Sequence, residues 1–523
     1  MNQVAIDKSH PPALYILFFT EMWERFSYYG MRALLVLFLT STLMDGGWGW
    51  ERAEALQLYG IYTGLVYLTP ILGGLIADKL IGFRNAVILG AAIMTIGHAS
   101  MAFETPFFLY LGLGCLIIGN GLFKPNISSI VGQLYTDEKK KDSAYTIFYM
   151  GINAGAFLGI LLCGYIGEKV GWSYGFGLAG VFMFFGMLQF SFAQKIFGRI
   201  GLSPKKQLAH DEIQDAGAYV HNTAYDFDKK PEEPTEEMPK HVSRDRIIVI
   251  SVFAFFTIFF WMAFEQAGGS MTIFADDYTA RTLEGGSATA FKIINTLLTV
   301  VPMIILTGVL LNLFKQTFKK YGLSNIFLST SFVIIWGLVI WMLWREFNAE
   351  ATEVPASWFG ILNSFFIISL APLFSKIWES KYNPTGPVKF AIGLMLLGFG
   401  FAILAYGSMS IDQGAKVASV SMIWLILAYL FHTLGELCVS PVGLSYVSKL
   451  APAKLVGLMF GIWFVANFVA NLLAGLTGSL IDGITEKYSL SAFFLIFTVL
   501  PFLAGLVMLG MNKFLVKKMH GFH

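Results

Sequence analysis

Fourteen mostly apolar runs follow one another along the chain, at about 13–43, 54–77, 85–103, 107–135, 143–167, 174–197, 247–276, 291–314, 324–345, 357–376, 388–408, 419–447, 455–482 and 490–514. A helix needs about 20 such residues to cross a bilayer. The surface of a soluble protein is excluded by the composition, 56% apolar and 13% charged where soluble domains average about 25% charged. The fold class is therefore an all-α polytopic membrane protein with 14 transmembrane helices. One long polar interval, 198–246, contains KKPEEPTEEMPK and almost no apolar periodicity, so it reads as a solvated linker. It divides residues 1–197, six helices, from residues 247–523, eight helices that include a pair at about 291–345.

The net charge is +2, so the balance does not point to nucleic acid, and placement carries the information. With the N-terminus cytoplasmic, 26 of the 36 Lys and Arg fall in cytoplasmic segments, 7 outside and 3 within the membrane. That asymmetry follows the positive-inside rule, and the even helix number puts both termini in the cytoplasm. The expected location is the plasma membrane, which is the inner membrane in a Gram-negative cell. The segment MNQVAIDKSHPP has no basic n-region, so no cleaved signal peptide is expected. Cys115, Cys163 and Cys438 lie far apart in apolar runs without metal-ligand spacing and read as small buried residues.

Seven ionisable residues fall at membrane depth: Glu21, Glu24, Arg25, Arg32, Lys124, Glu265 and Glu436. Left unpaired, at about 2.5 to 3.5 kcal/mol each, they would cost on the order of 20 kcal/mol. They must face one another or a watery cavity. Glu21, Glu24, Arg25, Tyr28, Tyr29 and Arg32 share one face of the first helix, a stripe about 16 Å long. Residues Asn120, Lys124 and Ser128 repeat the device, as do Tyr145, Tyr149 and Asn153; Trp261 and Glu265; His432, Glu436 and Ser440; and Trp463, Asn467 and Asn471. One such stripe would read as interhelical hydrogen bonding. Six of them, with both charge signs, favour a shared central cavity. Kinks are expected at Pro125 and Pro441, and close helix approach at Gly60/Gly64, Gly155/Gly159 and Gly457/Gly461.

The first helix reads FFTEMWERFSYYGMRALL, and its Glu21-x-x-Glu24-Arg25 followed by Phe26, Tyr28-Tyr29-Gly30 and Arg32 resembles the signature of the proton-dependent oligopeptide transporter (POT) family, bacterial type, within the major facilitator superfamily. Gly73-Gly74 through Asp78 with Gly82 is similar to the superfamily loop between helices 2 and 3. Further similarity lies in Tyr145 to Asn153, GNGLFKPNIS around Lys124, FWMAFEQAGGS around Glu265, SWFGILNSFF around Asn363, LGELCVSPVG around Glu436 and MFGIWFVAN around Trp463. The resemblance covers nearly the whole chain except 198–246 and the pair at 291–345. It implies the major facilitator fold, two six-helix bundles plus an extra helix pair. It also implies proton-coupled import of di- and tripeptides by alternating access, with protons and membrane lipid as the other partners and no cofactor beyond the coupling proton.

Residue by residue, the resemblance implies that Arg25 and Lys124 hold the peptide carboxylate, and that Glu436, with Asn153 and Asn363, holds the ammonium end. Tyr29, Tyr67, Tyr149 and Trp463 would line side-chain pockets, with Ser440 on the Glu436 stripe counted among the binding residues. Arg32 and Glu265 would form an extracellular-side gate, and Glu21, Glu24, Arg25, Lys124 and Glu436 would join them in proton coupling. Two departures matter. Some relatives carry a histidine seven residues before the tyrosine that matches Tyr67, where this chain has Gly60. The extra helix pair follows the seventh helix here, whereas relatives generally place it between the halves.

The residues agree independently. A dipeptide's termini lie about 5 to 7 Å apart, and each further residue adds about 3.5 Å, which suits a cationic half facing a carboxylate half. One proton moving down 100 mV yields about 2.3 kcal/mol, and one pH unit about 1.4 more, enough to concentrate a neutral solute roughly 500-fold. A nitrate carrier would not need Glu436, and a sugar carrier would have little need of Arg25 and Lys124. Gly171-Trp-Ser173-Tyr-Gly175 matches a nucleophile-elbow pattern, but it lies between helices and not after a strand, so no enzyme is expected. Hinged helices and paired charges also suit alternating access better than a proton channel.

Overall fold

A computed structural model describes residues 10–204, 239–452 and 455–521. Of the expected linker 198–246, residues 205–238 lie outside the described residues. The long helices are α1 (Pro12–Thr40), α2 (Arg52–Ile76), α3 (Phe83–Met101), α4 (Pro106–Gln133), α5 (Glu138–Lys169), α6 (Trp172–Ala193), α7 (Lys240–Phe264), α8 (Gly285–Thr317), α9 (Gly322–Asn348), α10 (Ile361–Glu379), α11 (Gly386–Gly407), α12 (Ile423–Leu450), α13 (Val456–Gly478) and α14 (Leu490–Gly510). Among the described residues, 12 helices are long and apolar enough to cross a membrane. The other two long helices are α1, with its row of charges, and α3, which carries Arg84 and His98.

Helix ends outrun the apolar runs where caps or polar turns extend them. The Asp137 side chain accepts from the backbone N–H groups of Lys139 and Lys140, so α5 starts at Glu138 and not near 143. Likewise α7 starts at Lys240, almost two turns before the expected 247. Apolarity marks membrane depth, and a helix can continue into polar surroundings.

The chain forms two compact units. One comprises Met1–Met31, Thr69–Glu233 and Thr282–Val354, and the other Arg32–Leu68, Pro234–Arg281 and Pro355–His523. The division therefore falls inside α1 and α2 and assigns α8 and α9 to the first unit, whereas the sequence halves at 197 and 247 follow covalent order.

Within the first unit, the side of α1 opposite its charged stripe is buried by aromatic packing. Trp23 stacks on Phe182 at 4.7 Å and meets Phe332 of α9 edge-on at 5.7 Å. The Ser324 hydroxyl donates to the Gln189 carbonyl at 2.7 Å, and the Tyr165 hydroxyl donates to Glu346 at 2.7 Å. A two-stranded antiparallel ribbon, β1 (Thr282–Leu283) with β2 (Thr352–Glu353), joins the start of α8 to the end of α9. These contacts explain why the pair belongs with the first unit despite following α7. In the same unit α2 and α4 touch backbone to backbone: a Cβ on Gly73 would lie 1.9 Å from the Gly121 carbonyl oxygen.

Within the second unit, α2 meets α13 where a Cβ on Gly60 would lie 2.6 Å from the Gly475 Cα. The Arg52 guanidinium pairs with Asp277 at 2.7 Å and Asp482 at 2.8 Å and donates to the Lys416 carbonyl at 2.8 Å. Such contacts tie residues 32–68 to the later helices. The expected approach at Gly457/Gly461 is not made, because a Cβ at either position meets nothing within 4 Å.

Candidate functional site

In the first unit, α1 places Glu21, Glu24 and Arg25 side by side, all 3% exposed or less. Arg25 Nε donates to Glu21 Oε1 at 2.9 Å and also lies against Glu24 Oε2. From α4, the Asn120 amide donates to Glu24 Oε1 at 2.9 Å. Lys124, one turn further along α4, is half-buried, and its charge acts on both Glu21 and Glu24. Among the described residues, Arg25 Nη2, Glu21 Oε2 and Glu24 Oε2 are buried without a hydrogen-bond partner. Buried polar groups are normally paired, so unused hydrogen-bonding capacity of both signs is concentrated here.

In the second unit, Arg32 pairs with Glu265, and Arg32 Nε donates to the Tyr59 hydroxyl at 2.6 Å, with the guanidinium 5.4 Å from the Tyr59 ring. Glu265 does not sit inside a regular helix. The α-helix ends at Phe264, and Glu265–Gly268 form a 3-10 turn that places the carboxylate at a break. Asn363 Nδ2 donates to Glu436 Oε2 at 2.8 Å and to Thr433 Oγ1 at 3.2 Å. Among the described residues Glu436 pairs with no cation, so the four carboxylates and three cations divide into two paired groups and one carboxylate held by an amide.

The remaining expected site residues take quieter positions. Tyr29 packs edge-on against Tyr28 at 5.1 Å, Tyr149 is exposed, and Tyr67 on α2 and Ser440 on α12 are half-buried. Asn153 donates to the Tyr149 carbonyl of its own helix at 3.0 Å. Trp463 is buried, its ring lying where a Cβ on Gly443 would meet it at 2.5 Å. His432, expected on the Glu436 stripe, instead packs on Phe401 with ring centroids 4.4 Å apart, and neither of its nitrogens has a hydrogen-bond partner among the described residues. Sequence reasoning missed Tyr59 and Thr433, which carry no charge, and the helix break at Glu265, although the nearby Gly268-Gly269 pair signalled it. Among the described residues no group of three or more His, Cys, Asp or Glu could hold a metal.

Long apolar helices with ion pairs and polar amides buried at mid-helix define a multi-pass membrane transporter of the major facilitator type. The POT family profile matches residues 84–215 and 328–498. An uncharacterized transporter of Bacillus subtilis (strain 168) is 33% identical over 98% of this chain and 96% of its own length. A di-/tripeptide transporter of Lactococcus lactis subsp. cremoris is 30% identical over 97% of this chain and 96% of its own length. The crystal structure of peptide transporter POT in complex with sulfate superposes with a TM-score of 0.72 at 29% identity, covering 99% of this chain and 98% of that one. The chain belongs to the POT family.

Proposed function

We propose that the protein is a proton-coupled symporter that imports di- and tripeptides by alternating access. The observation that carries this reading is the division of charge: Arg25 with Lys124 in one unit, and in the other Glu436, held by Asn363 and paired with no cation among the described residues. The first set is suited to a peptide's carboxylate and the second to its ammonium, and Tyr29, Tyr67, Tyr149 and Trp463 offer aromatic surface to its side chains. Fixing the termini while aromatic walls adapt gives broad selectivity. Support comes from the Lactococcus relative named a di-/tripeptide transporter, and from a variant of peptide transporter POT solved in complex with alafosfalin, 28% identical to this chain. The excess of cytoplasmic Lys and Arg orients both termini inward in the plasma membrane, and Arg32 with Glu265 then lies toward the outside as a proton-sensitive gate. Reconstituted protein should accumulate a labelled dipeptide when the outside is acidic and the inside negative. Tripeptides should compete, whereas free amino acids, sugars and nitrate should not. Uptake unaffected by a protonophore would refute proton coupling.

A further inference from the structure

Glu24 and Asn120 are among the most buried polar residues of the first unit, 0% and 1% exposed. The two oxygens of the Glu24 carboxylate differ in what they meet. Oε2 lies beside Arg25 of the same helix in an ion pair but, among the described residues, has no hydrogen-bond partner, whereas Oε1 accepts from Asn120 Nδ2 at 2.9 Å across the α1–α4 contact. The other end of that amide, Asn120 Oδ1, is buried with no hydrogen-bond partner among the described residues.

We propose that Asn120 is a positioning residue for proton coupling, its amide serving both protonation states of Glu24: Nδ2 donates to the carboxylate, and after a half-turn Oδ1 accepts from the carboxylic acid. A carboxylate only accepts hydrogen bonds, whereas its acid form must also place one O–H. A buried group that gains and loses a proton therefore leaves one state unsatisfied beside any neighbour of fixed polarity. The terminal torsion of an asparagine is soft, so exchanging Nδ2 for Oδ1 needs no backbone movement. The charged groups around Glu24 cannot follow the proton in this way. They are Glu21 and Arg25 on α1 and Lys124 on α4, with Tyr28 and Tyr29 beyond Arg25. Helix α5 approaches this side with Gly155 against Arg25 Cβ. Asn120 is a neutral group in hydrogen-bond contact with the carboxylate.

This inference rests on the proton-coupled reading above, and its test separates the two. Wild type, Asn120→Leu, Asn120→Ala and Asn120→Thr are purified, and the infrared band of protonated carboxylic acid is titrated against pH, with Glu24→Gln identifying the Glu24 contribution. The same proteins are reconstituted, and pH-driven dipeptide uptake is measured across external pH. Leucine matches asparagine in size and offers neither donor nor acceptor, so both protonation states lose a hydrogen bond; the bond to the charged carboxylate is the stronger, so the infrared midpoint and the uptake profile should both move upward by about one pH unit. Alanine should act the same way if leucine prevents folding. Threonine, whose hydroxyl both donates and accepts, should restore most of the shift. Unmoved midpoints in the leucine and alanine variants, with or without a uniform loss of rate, would overturn the proposal. Absence of any peptide uptake by wild type would overturn the functional reading instead, and the infrared titration would still decide the role of Asn120.

Discussion

Arg32 and Glu265 pair inside the second unit although 233 positions separate them in the chain, and Tyr59 completes the contact from α2. The break in the helix at Glu265 makes the pairing possible, because a carboxylate on a 3-10 turn is aimed independently of the helix before it. An ion pair of this depth survives only while both partners are charged.

Neutralising Glu265 should therefore release Arg32 without a proton. Glu265→Gln is expected to retain peptide counterflow, which needs no net proton movement, and to lose pH-driven accumulation. Both are read in proteoliposomes with one labelled dipeptide. Accumulation equal to wild type would move the proton-linked gate to Glu21, Glu24 or Glu436.

Lys124 stands one turn from Asn120 and faces the carboxylates of α1, so its proposed task is to hold the substrate carboxylate with Arg25. Lys124→Ala should weaken dipeptide binding by about 2 to 5 kcal/mol. Amidating the peptide C-terminus should weaken binding to wild type and matter little in Lys124→Ala, as measured by calorimetry or competition. An equal loss from amidation in both proteins would remove Lys124 from that role.

Two glycine substitutions should act in opposite directions. Gly73→Ala drives a methyl into the Gly121 carbonyl and should destabilise the protein by about 1 to 3 kcal/mol. Gly461→Ala adds a methyl where nothing lies within 4 Å, and by reducing backbone freedom in the helix it should stabilise by about 0.5 to 1 kcal/mol. Thermal unfolding in one detergent compares them directly.

Replacing residues 205–238 with a flexible tether of similar length should leave transport within a few-fold, because the segment carries almost no apolar periodicity. Loss of transport by a replacement that still inserts and folds would assign the segment a regulatory task.

The long helices and the charges buried within them were legible because both signals are local. Twenty apolar residues define a span wherever they occur, and a 3.6-residue period assigns Glu21, Glu24 and Arg25 to one face before any neighbour is known. Which neighbour meets that face is a long-range property. His432 and Glu436 share a period, yet the His432 ring turns to Phe401 while Glu436 meets Asn363. Gly60 and Gly457 both stand in GxxxG spacing, yet only Gly60 meets another helix closely. The pair α8 and α9 follows α7 in the chain but packs with the first unit, because Phe332, Ser324 and Glu346 find complementary surfaces there. Periodicity states what a helix face can bury, and only packing against particular side chains, in three dimensions, decides what it does bury.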